Sequence, residues 1–279
     1  IFQKKIVRFF LGDVRDLQRL NTAFEGVDIV IHAAALKQVP AAEYNPTEYI
    51  KTNINGAENI IQAAINCNVK KVIALSTDKA VNPINLYGAT KLVSDKLFIA
   101  ANNIVGKKDI RFSIVRYGNV SGSRGSVLPF FLKLKKSGKP FLLTHMDATR
   151  FWITLDEGVN FVINSLKKMH GGEIFIPKLP AIKIIDLAKA IDEKNKIKIV
   201  GLRESEKIHE ALISPDDNRN VLEFKDCFVI KPFMFNFSNS FKSKGKIAKS
   251  DYYFTSNNSD FLSIKDIKKY INKLWSYQN

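Results

Sequence analysis

The chain of 279 residues has little cysteine and no long hydrophobic run. Its two cysteines, Cys67 and Cys227, are too few and too far apart for a disulfide framework or a cysteine metal site. Its four histidines show no metal-ligand spacing. No apolar stretch approaches the length of a transmembrane helix. These absences argue against a disulfide-rich secreted domain and a membrane protein, and we expect a cytoplasmic protein that holds no metal.

Acidic residues are few compared with basic ones, 27 Asp and Glu against 43 Lys and Arg, which gives a net charge of +16. A basic surface can attract nucleic acid. The lysines are spread in short groups, however, and no zinc-finger, basic-zipper or RNA-binding aromatic signature accompanies them. We therefore expect solvated helix faces and loop edges, and no nucleic-acid partner. The same positive field would favour an anionic small substrate.

Strand-like and helix-like patterns alternate along the first half of the chain, which predicts βαβ units and a parallel sheet. The predicted strands of this half are residues 7–11, 27–32, 72–75 and 111–116. Its predicted helices are residues 16–24, 46–66 and 86–102. The second half mixes the two patterns, with helices at 127–136, 155–169 and 184–191 and short strands at 141–143 and 173–176.

These patterns predict an α/β protein with three regions. Residues 1–126 are expected to form a partial NAD(P)-binding domain, a Rossmann-like doubly wound parallel sheet that lacks its first β-α-β unit. Residues 127–235 are expected to form a smaller α+β substrate lobe, from which residues 155–170 return to the sheet. Residues 236–279 begin as a connection rich in Ser, Asn and Lys and end in an amphipathic helix.

Glycine is missing where a dinucleotide-binding fold uses it. Such a fold opens with a strand, a glycine-rich turn and a helix whose N-terminus receives the pyrophosphate. No Gly-x-x-Gly-x-x-Gly sequence precedes Asp13, and the glycines at 118, 122 and 125 follow a later strand with a different spacing. The first predicted strand resembles the third strand of such a fold. We therefore expect that the chain is truncated at its start.

Residues 76–91 carry the richest set of reactive side chains. The motif Ser-Thr-Asp-Lys at 76–79 follows a buried strand at its carboxyl end, where open α/β sheets place their active sites. Tyr87 and Lys91 begin an amphipathic helix four residues apart, so they share one face. We expect the Lys91 ammonium to lower the pKa of Tyr87 toward a value useful for proton transfer. For Asp78 and Lys79 the ordinary alternative is a solvent-exposed ion pair.

Six motifs occur in the order and spacing of the extended short-chain dehydrogenase/reductase superfamily, which the chain resembles. They are Gly-Asp-Val-Arg-Asp at 12–16, His-Ala-Ala-Ala at 32–35, Thr-Asn at 52–53, Ser-Thr-Asp-Lys at 76–79, Tyr-x-x-x-Lys at 87–91 and Arg-Tyr-Gly-Asn-Val at 116–120. A narrower resemblance, to the UDP-N-acetylglucosamine 4,6-dehydratases, adds Leu-Lys-Gln-Val-Pro at 36–40, Ser-Arg-Gly-Ser-Val at 123–127, Thr-Arg-Phe at 149–151 and Gly-x-Arg-x-x-Glu-Lys-x-His-Glu at 201–210. The branch that inverts C5 and starts pseudaminic acid synthesis fits best, because membrane-anchored and capsule-type relatives usually carry Met at the position of Tyr87.

The resemblance implies a lyase that dehydrates UDP-N-acetylglucosamine with bound NADP. C4 of the sugar is oxidised transiently, the C5 proton becomes acidic, water leaves across C5 and C6, and hydride returns to C6. The product is a UDP-2-acetamido-2,6-dideoxy-4-hexulose inverted at C5. NAD is not excluded as the cofactor, because the strand that distinguishes the two is missing. The family also implies a homo-oligomer.

The same resemblance assigns roles within residues 76–91. Tyr87 takes the proton of the 4-hydroxyl, Thr77 can hydrogen-bond that hydroxyl, and Lys91 holds the nicotinamide ribose. Related dehydratases have Thr-Asp-Glu after the serine, whereas this chain has Lys79 in place of the glutamate. A neutral, desolvated lysine can act as a base, and burial lowers its pKa. We assign Asp78 as the acid for the departing 6-hydroxyl and Lys79 as the base at C5.

Further roles are implied outside that segment. Besides Tyr87 and Lys91, the residues expected to bind the cofactor are Asp13, Val14, Ala33, Ala34, Asn53 and Val120. Those expected to bind the substrate are Lys37, Asn119, Arg150, Arg203 and Glu206. Asp13 is equally explained as the N-cap of helix 16–24, the two alanines by close strand–helix packing, Lys37 as a surface lysine, and Glu206 as a partner of its neighbouring lysine. His209 receives no role.

Three other functions stay open at this point. A sugar-nucleotide C4 epimerase of the same superfamily needs no acid–base pair for elimination, so the Asp78-Lys79 dipeptide argues against it. Another UDP-sugar dehydratase would use the same residues. An inactive truncated fragment or binding module would lack the chemistry altogether, and an upstream strand followed by Gly-x-x-Gly-x-x-Gly would argue against that reading.

Overall fold

The computed structural model describes residues 7–232, 245–247 and 253–276 of the chain. The strands are β1 (Ile29–His32), β2 (Lys71–Thr77), β3 (Arg111–Tyr117), β4 (Asn119–Val120), β5 (Phe141–Leu143), β6 (Thr149–Ile153), β7 (Ile174–Pro177), β8 (Ala181–Lys183), β9 (Ile197–Ile199), β10 (Ala211–Ile213), β11 (Val221–Glu223), β12 (Cys227–Ile230), β13 (Lys246–Ile247) and β14 (Phe254–Thr255). The helices are α1 (Leu17–Phe24), α2 (Val39–Tyr44), α3 (Pro46–Tyr49), α4 (Gly56–Asn66), α5 (Leu86–Ile104), α6 (Val127–Lys136), α7 (Leu155–Lys168), α8 (Ile184–Ile191) and α9 (Ile264–Ser276).

The central sheet of the described residues has seven strands in the order β1-β2-β3-β7-β12-β11-β13. The first four strands run parallel, with Ile29 beside Lys71 and Lys71 beside Arg111. β12, β11 and β13 extend the sheet in antiparallel pairs beyond β7. Because β1, β2 and β3 are parallel neighbours, their carboxyl ends meet at one edge of the sheet. The predicted α/β fold with a parallel sheet is confirmed.

Helices cover both faces of this sheet. On one face, α4 and α5 bury Ala64 and Phe98 against Phe112 and Ile114 of β3. On the other face α7 buries Val162 against the sheet. Parallel sheets are covered on both sides, which explains the nearly continuous burial along β2 and β3.

A second apolar cluster lies outside the sheet. It joins α6, α8 and α9 to β5, with the Phe131 and Phe141 rings stacked at a centroid distance of 5.0 Å. Trp152 of β6 and Ile267 of α9 complete this cluster. Lysines occupy the last turn of α6, where their positive charges interact favourably with the negative end of the helix dipole.

The structure differs from the sequence-based prediction at two elements. Residues 7–11 were predicted to be a strand, but they are irregular and exposed, and no described strand pairs with them. The predicted helix at 46–66 consists of α3 and α4 joined by a π-helical segment, Ile50–Asn55. Parts of the predicted connection after residue 235 lie outside the described residues. Within the described part of the chain, no helix is long and apolar enough to cross a membrane.

Candidate active site

A cavity of about 740 Å³ opens at the carboxyl ends of the parallel strands. Ala33 and Ala35 follow β1, residues 75–79 span the end of β2 and the turn after it, and residues 117–120 run from the end of β3 through β4. All of them line the cavity. The carboxyl ends of three adjacent strands therefore form one wall of the cavity. The position is the one at which open α/β sheets bind ligands, and the volume suits a small molecule.

Asp78 and Lys79 lie in a 3-10 turn, Asp78–Ala80, directly after β2. The Thr77 hydroxyl accepts a hydrogen bond from the backbone N–H of Lys79 at 3.3 Å and donates to Asp78 Oδ1 at 2.9 Å. The Lys79 amine donates to the same oxygen at 3.0 Å. The Asp78 side chain is only 1% exposed and that of Lys79 is 23% exposed. The dipeptide is therefore a buried ion pair, and the solvent-exposed alternative is wrong.

Helix α5 brings Tyr87 to this turn. The Asn85 side chain caps the helix by accepting a hydrogen bond from the Gly88 N–H at 2.8 Å. Gly88 is required here, because a Cβ at this position would overlap the carbonyl oxygen of Lys79. The close approach places Tyr87 and the Thr77-Asp78-Lys79 segment on the same wall of the cavity. Tyr87 and Lys91 both line the cavity, as their spacing on one helix face predicts.

The environment of Tyr87 differs from the expected one. Burial raises the pKa of Tyr87 to about 12, although the Lys79 charge and the Thr77 hydrogen bond act in the opposite direction. Burial also lowers the pKa of the Lys91 amine, which donates a hydrogen bond to the carbonyl oxygen of Leu75 at 2.8 Å. The expectation that Lys91 lowers the pKa of Tyr87 is therefore wrong for the protein alone. Desolvation dominates, and the lysine that opposes it is Lys79.

Lys79 has a second buried partner, since Glu210 Oε1 lies 3.1 Å from its amine. Burial acts to lower the pKa of Lys79, but the charges of Asp78 and Glu210 outweigh burial and raise it. The expectation that burial leaves Lys79 with a lowered pKa is therefore wrong. Burial raises the pKa of Asp78, and repulsion by Glu210 adds to that effect against the attraction of Lys79. The direction of this shift is the one that a general acid needs.

The cavity also brings together the residues assigned to the substrate, which are Lys37, Asn119, Arg150, Arg203 and Glu206. Arg150 and Glu206 form an ion pair at 3.2 Å, and Arg150 also donates to the carbonyl oxygen of Ile208 at 2.9 Å. Glu206 accepts a hydrogen bond from the backbone N–H of Arg203 at 3.2 Å. The guanidinium of Arg150 is thereby held at the cavity wall, in a form suited to phosphate oxygens.

Several cavity residues received no role from the sequence. Arg124 and Lys133 add positive charge to the lining, and Ser126 adds a hydroxyl. The Ser126 Oγ and Asn119 Oδ1 atoms are buried, with no hydrogen-bond partner among the described residues. Buried polar atoms are normally paired, so these atoms fit contacts to a polar ligand. The motif at 123–127 pointed to this segment without indicating which side chain faces the site.

The residues assigned to the cofactor divide into two groups. Those that line the cavity are Ala33, Tyr87, Lys91 and Val120, and those outside its lining are Asp13, Val14, Ala34 and Asn53. The Asp13 carboxylate accepts from the Arg15 side chain at 2.8 Å and 3.0 Å, and the N-cap of α1 is Asp16, so the cap alternative for Asp13 is wrong. Asn53 forms two hydrogen bonds of 2.9 Å with the backbone of Leu36, and so holds the loop after β1.

The lining of the cavity fits the nicotinamide–ribose end of a dinucleotide. Ala33 and Ala35 present only methyl groups where backbone meets the cavity. The Lys91 amine donates one hydrogen bond to Leu75 among the described residues, and an ammonium has three donors. The donor set of Tyr87 and Lys91 therefore suits ribose hydroxyls.

Comparisons with known proteins identify relatives over nearly the whole chain. The family described as "Polysaccharide biosynthesis protein" matches residues 1–232. A UDP-N-acetylglucosamine 4,6-dehydratase (inverting) of Campylobacter jejuni is 53% identical over 98% of this chain and 84% of the relative. A UDP-glucose 4-epimerase of Rickettsia conorii is 41% identical over 94% of this chain and 79% of the relative. The X-ray structure of Pen from Bacillus thuringiensis is 35% identical, with a TM-score of 0.88 over 97% of this chain and 82% of that one.

Proposed function

The chain belongs to the polysaccharide biosynthesis protein family, and we propose that it acts as a UDP-N-acetylglucosamine 4,6-dehydratase that inverts C5. The observation that carries this proposal is the buried Asp78–Lys79 pair on the cavity wall beside Tyr87. Tyr87 suffices for oxidation and reduction at C4, whereas an elimination also needs an acid and a base. The 53% identity to a dehydratase of that name supports the same reaction.

Each candidate residue then has a proposed role toward the sugar. A nicotinamide cofactor, when bound, supplies a reversible hydride acceptor. Tyr87, as the phenolate, accepts the proton of the 4-hydroxyl as C4 becomes a ketone, and Thr77 orients that hydroxyl. Lys79 removes the C5 proton, whose acidity the ketone raises. Asp78 protonates the 6-hydroxyl as the C6–O bond breaks, so that it leaves as water. Hydride then returns to C6 and a solvent-exchangeable proton is added at C5, which completes the net dehydration.

One proton shared by Asp78 and Lys79 suits this sequence of steps. Its transfer across the 3.0 Å contact converts the ion pair into a neutral acid and a neutral amine. In the elimination Asp78 gives up its proton and the Lys79 amine takes one, which regenerates the ion pair. The raised pKa of Asp78 favours this transfer, and the raised pKa of Lys79 opposes it. No other proton donor is needed to reset the pair.

The positively charged lining supports a nucleotide diphosphate as the part of the substrate farthest from the chemistry. Lys37, Arg124, Arg150 and Arg203 all line the cavity, and arginine forks suit phosphate oxygens. The cofactor is proposed to be NADP, held at its nicotinamide ribose by Tyr87 and Lys91. The contact of Asp13 with the adenine amino group and the cofactor contacts of Val14 and Ala34 belong to the same proposal.

The remaining predictions from the resemblance are proposals of the same kind. They concern a cofactor domain over residues 1–126, a substrate lobe over 127–235, a cytoplasmic homo-oligomer, and a place at the start of pseudaminic acid synthesis. Asn53 is proposed to act on the cofactor through the loop after β1, because its side chain bonds the Leu36 backbone.

A C4 epimerase is the second candidate, because a relative of that name is 41% identical. One incubation separates the two functions. With UDP-N-acetylglucosamine and NADP⁺ in deuterated water, the dehydratase gives a 4-keto-6-deoxy sugar that carries solvent deuterium at C5. An epimerase gives the C4 epimer without solvent deuterium, since the same hydride returns to C4. Mass spectrometry and proton NMR of the product distinguish the outcomes, and the epimer alone would overturn the proposal.

A further inference from the structure

Glu210 reaches the amine of Lys79 from a distant part of the sequence. It directly precedes β10, and its side chain is 4% exposed. Its Oε1 atom lies 3.1 Å from Lys79 Nζ, and Asp78 Oδ1 lies 3.0 Å from the same nitrogen. The amine therefore lies between two buried carboxylates, of which only Asp78 has a role in the proposed elimination.

The backbone of Glu210 is fixed on both sides. Its N–H donates to Ser256 Oγ at 2.9 Å, and its carbonyl oxygen accepts from the Ser256 N–H at 2.8 Å. Ser256 is fully buried and directly follows β14, the strand that pairs with β10. A carboxylate on such a rigid support can hold a flexible lysine side chain in one place.

Glu210 contacts Lys79 from behind the cavity wall. Among the described residues, Asp78 and Lys79 line the cavity and Glu210 does not. Glu210 Oε2 has no hydrogen-bond partner in the described part of the chain, so the contact of its other oxygen with Lys79 is its main polar interaction. An incompletely paired buried carboxylate is costly to a fold, so its presence needs an explanation beyond stability.

The groups that face Lys79 include both anions and cations. They are Asp78 on its own turn, Tyr87 on α5, Arg150 on β6, and Lys207 and Glu210 before β10. Burial acts to raise the pKa of Glu210, but attraction to Lys79, and then to the other two cations, outweighs burial and lowers it. The lowered pKa of Glu210 favours its charged form, whereas the raised pKa of Asp78 favours its protonated form. Glu210 therefore suits the role of a fixed anion, and Asp78 suits the role of an acid.

We propose that Glu210 is a positioning residue that holds the Lys79 amine at the cavity wall beside Asp78 during each turnover. This inference rests on the proposed function, in which the amine takes the C5 proton while the C5–H electron pair passes into the enolate of the C4 ketone. The ammonium formed in that step has a fixed anion at 3.1 Å. A negative charge at this distance favours the charged form of the amine.

The test compares four proteins: the parent, Glu210→Gln, Glu210→Asp and Glu223→Gln. Glutamine keeps the shape of the side chain without its charge, and aspartate keeps the charge at a shorter reach. Glu223→Gln is the matched control, because Glu223 forms a 2.7 Å ion pair with Lys178 away from the cavity. The first measurement is the pH dependence of Lys79 acetylation by acetic anhydride, quantified by peptide mass spectrometry. The second is deuterium exchange at C5 of the 4-keto-6-deoxy product.

We expect Glu210→Gln to acetylate Lys79 at least ~10-fold faster than the parent at the same pH, since one pKa unit corresponds to a tenfold change in free amine. The pH at which C5 exchange begins should fall by a similar interval. Glu210→Asp should lie between the parent and Glu210→Gln, and Glu223→Gln should leave the Lys79 profile unchanged. A general loss of structure would not move the pH midpoint of one lysine in this pattern.

Equal Lys79 profiles in the parent and a folded Glu210→Gln would overturn the inference. If Glu210→Gln does not fold, Glu210→Asp decides instead, and a folded Glu210→Asp with the parental Lys79 profile contradicts the proposal. Acetylation requires no substrate, so the two proposals fail separately. A shifted Lys79 profile in a protein that makes no dehydrated sugar removes the proposed function, whereas an unshifted profile in an active dehydratase removes only the role of Glu210.

Discussion

The amine of Lys91 donates a hydrogen bond to the carbonyl oxygen of Leu75 at 2.8 Å, which ties the first turns of α5 to the end of β2. Tyr87 lies one turn earlier on the same helix face, next to the Asp78–Ala80 turn. The proton affinity of Tyr87 is therefore governed by its burial and by Lys79, and not by the lysine of its own sequence motif.

The first prediction concerns the titration of Tyr87 without ligand. Because burial disfavours the phenolate, we expect Tyr87 to keep its proton until the pH approaches about 12. The folded-state pKa lies above the ordinary value of 10.0, so the stability contributed by this group is present below pH 10.0 and is lost as the pH rises toward about 12. Carbon-13 NMR of labelled tyrosine Cζ atoms measures this titration.

Two variants control that measurement. Tyr87→Phe identifies the Tyr87 resonance by its disappearance, and Tyr44→Phe removes an exposed tyrosine that lies outside the cavity lining. A Tyr87 resonance that titrates below pH 10.0 in the protein alone would show that a nearby cation outweighs burial.

The second prediction concerns the close packing behind Asp78. A Cβ at Gly118 would overlap Phe151 Cβ and lie 3.3 Å from Asp78 Oδ2. Gly118→Ala should therefore lower the free energy of unfolding by ~1–3 kcal/mol, the usual cost of overpacking. Gly158→Ala in α7 is the control, because its Cβ would meet only Ile153 Cδ1 at 3.9 Å. That change should be neutral or stabilise by up to ~1 kcal/mol through helix propensity. Urea unfolding of both variants checks the contrast, and equal effects would contradict it.

Local patterns predicted the parts of the fold that depend on neighbours in sequence. The four-residue spacing of Tyr87 and Lys91 predicted that both side chains face one site, and both line the cavity. The alternating strand and helix patterns predicted the parallel order of β2 and β3. In each case a single period, of helix or of strand, determines which side of the element is buried.

Contacts between distant segments could not be predicted in the same way. Glu210 reaches Lys79 only because β10 pairs with β14 and lies near the 3-10 turn, and no local pattern encodes that approach. The raised pKa of Lys79 follows from this contact, so the sequence predicted burial of the lysine but not the two carboxylates that oppose its effect. Asn53 likewise contacts a loop 17 positions earlier, and its hydrogen bonds to the Leu36 backbone were not predicted.

The third prediction concerns stability in acid. His32 is buried next to Phe98, with ring centroids 5.5 Å apart, and burial together with the Lys91 charge lowers its pKa to about 3. The stability contributed by neutral His32 is therefore present above its ordinary value of 6.5 and is lost as the pH falls toward about 3. Each unit of this difference corresponds to about 1.4 kcal/mol, so Tm should fall across that interval.

Variants of His32 separate this effect from general acid unfolding. His32→Leu removes the titrating group from the apolar site, so its Tm should depend less on pH between 6.5 and about 3 than the parent Tm does. His145→Leu, at a partly exposed position outside the sheet, is the control. Parallel Tm profiles for the parent and His32→Leu would show that His32 does not cause the loss.

The last prediction separates the proposed steps at C4, C5 and C6 in protein supplied with UDP-N-acetylglucosamine and NADP⁺. Lys79→Ala should still oxidise C4, because Tyr87 and Thr77 remain, but more slowly, because the Lys79 charge helps to lower the pKa of Tyr87. A 4-keto sugar that keeps its 6-hydroxyl should accumulate and be trapped by borodeuteride as a C4-deuterated sugar. Exchange of the C5 hydrogen with solvent should be lost, because its base is absent.

In two further variants the reaction should stop at other steps. Asp78→Asn should retain C5 exchange but stall at the loss of the 6-hydroxyl, because an amide cannot supply the proton. Tyr87→Phe should give neither the trapped ketone nor exchange, with turnover reduced by ~10²–10⁴-fold, the usual contribution of a general base. Substrate binding should change little in Tyr87→Phe, so the loss belongs to the chemical step. If Lys79→Ala exchanges C5 at the parental rate, another group is the base, and the contact between Lys79 and Glu210 then has no part in proton removal.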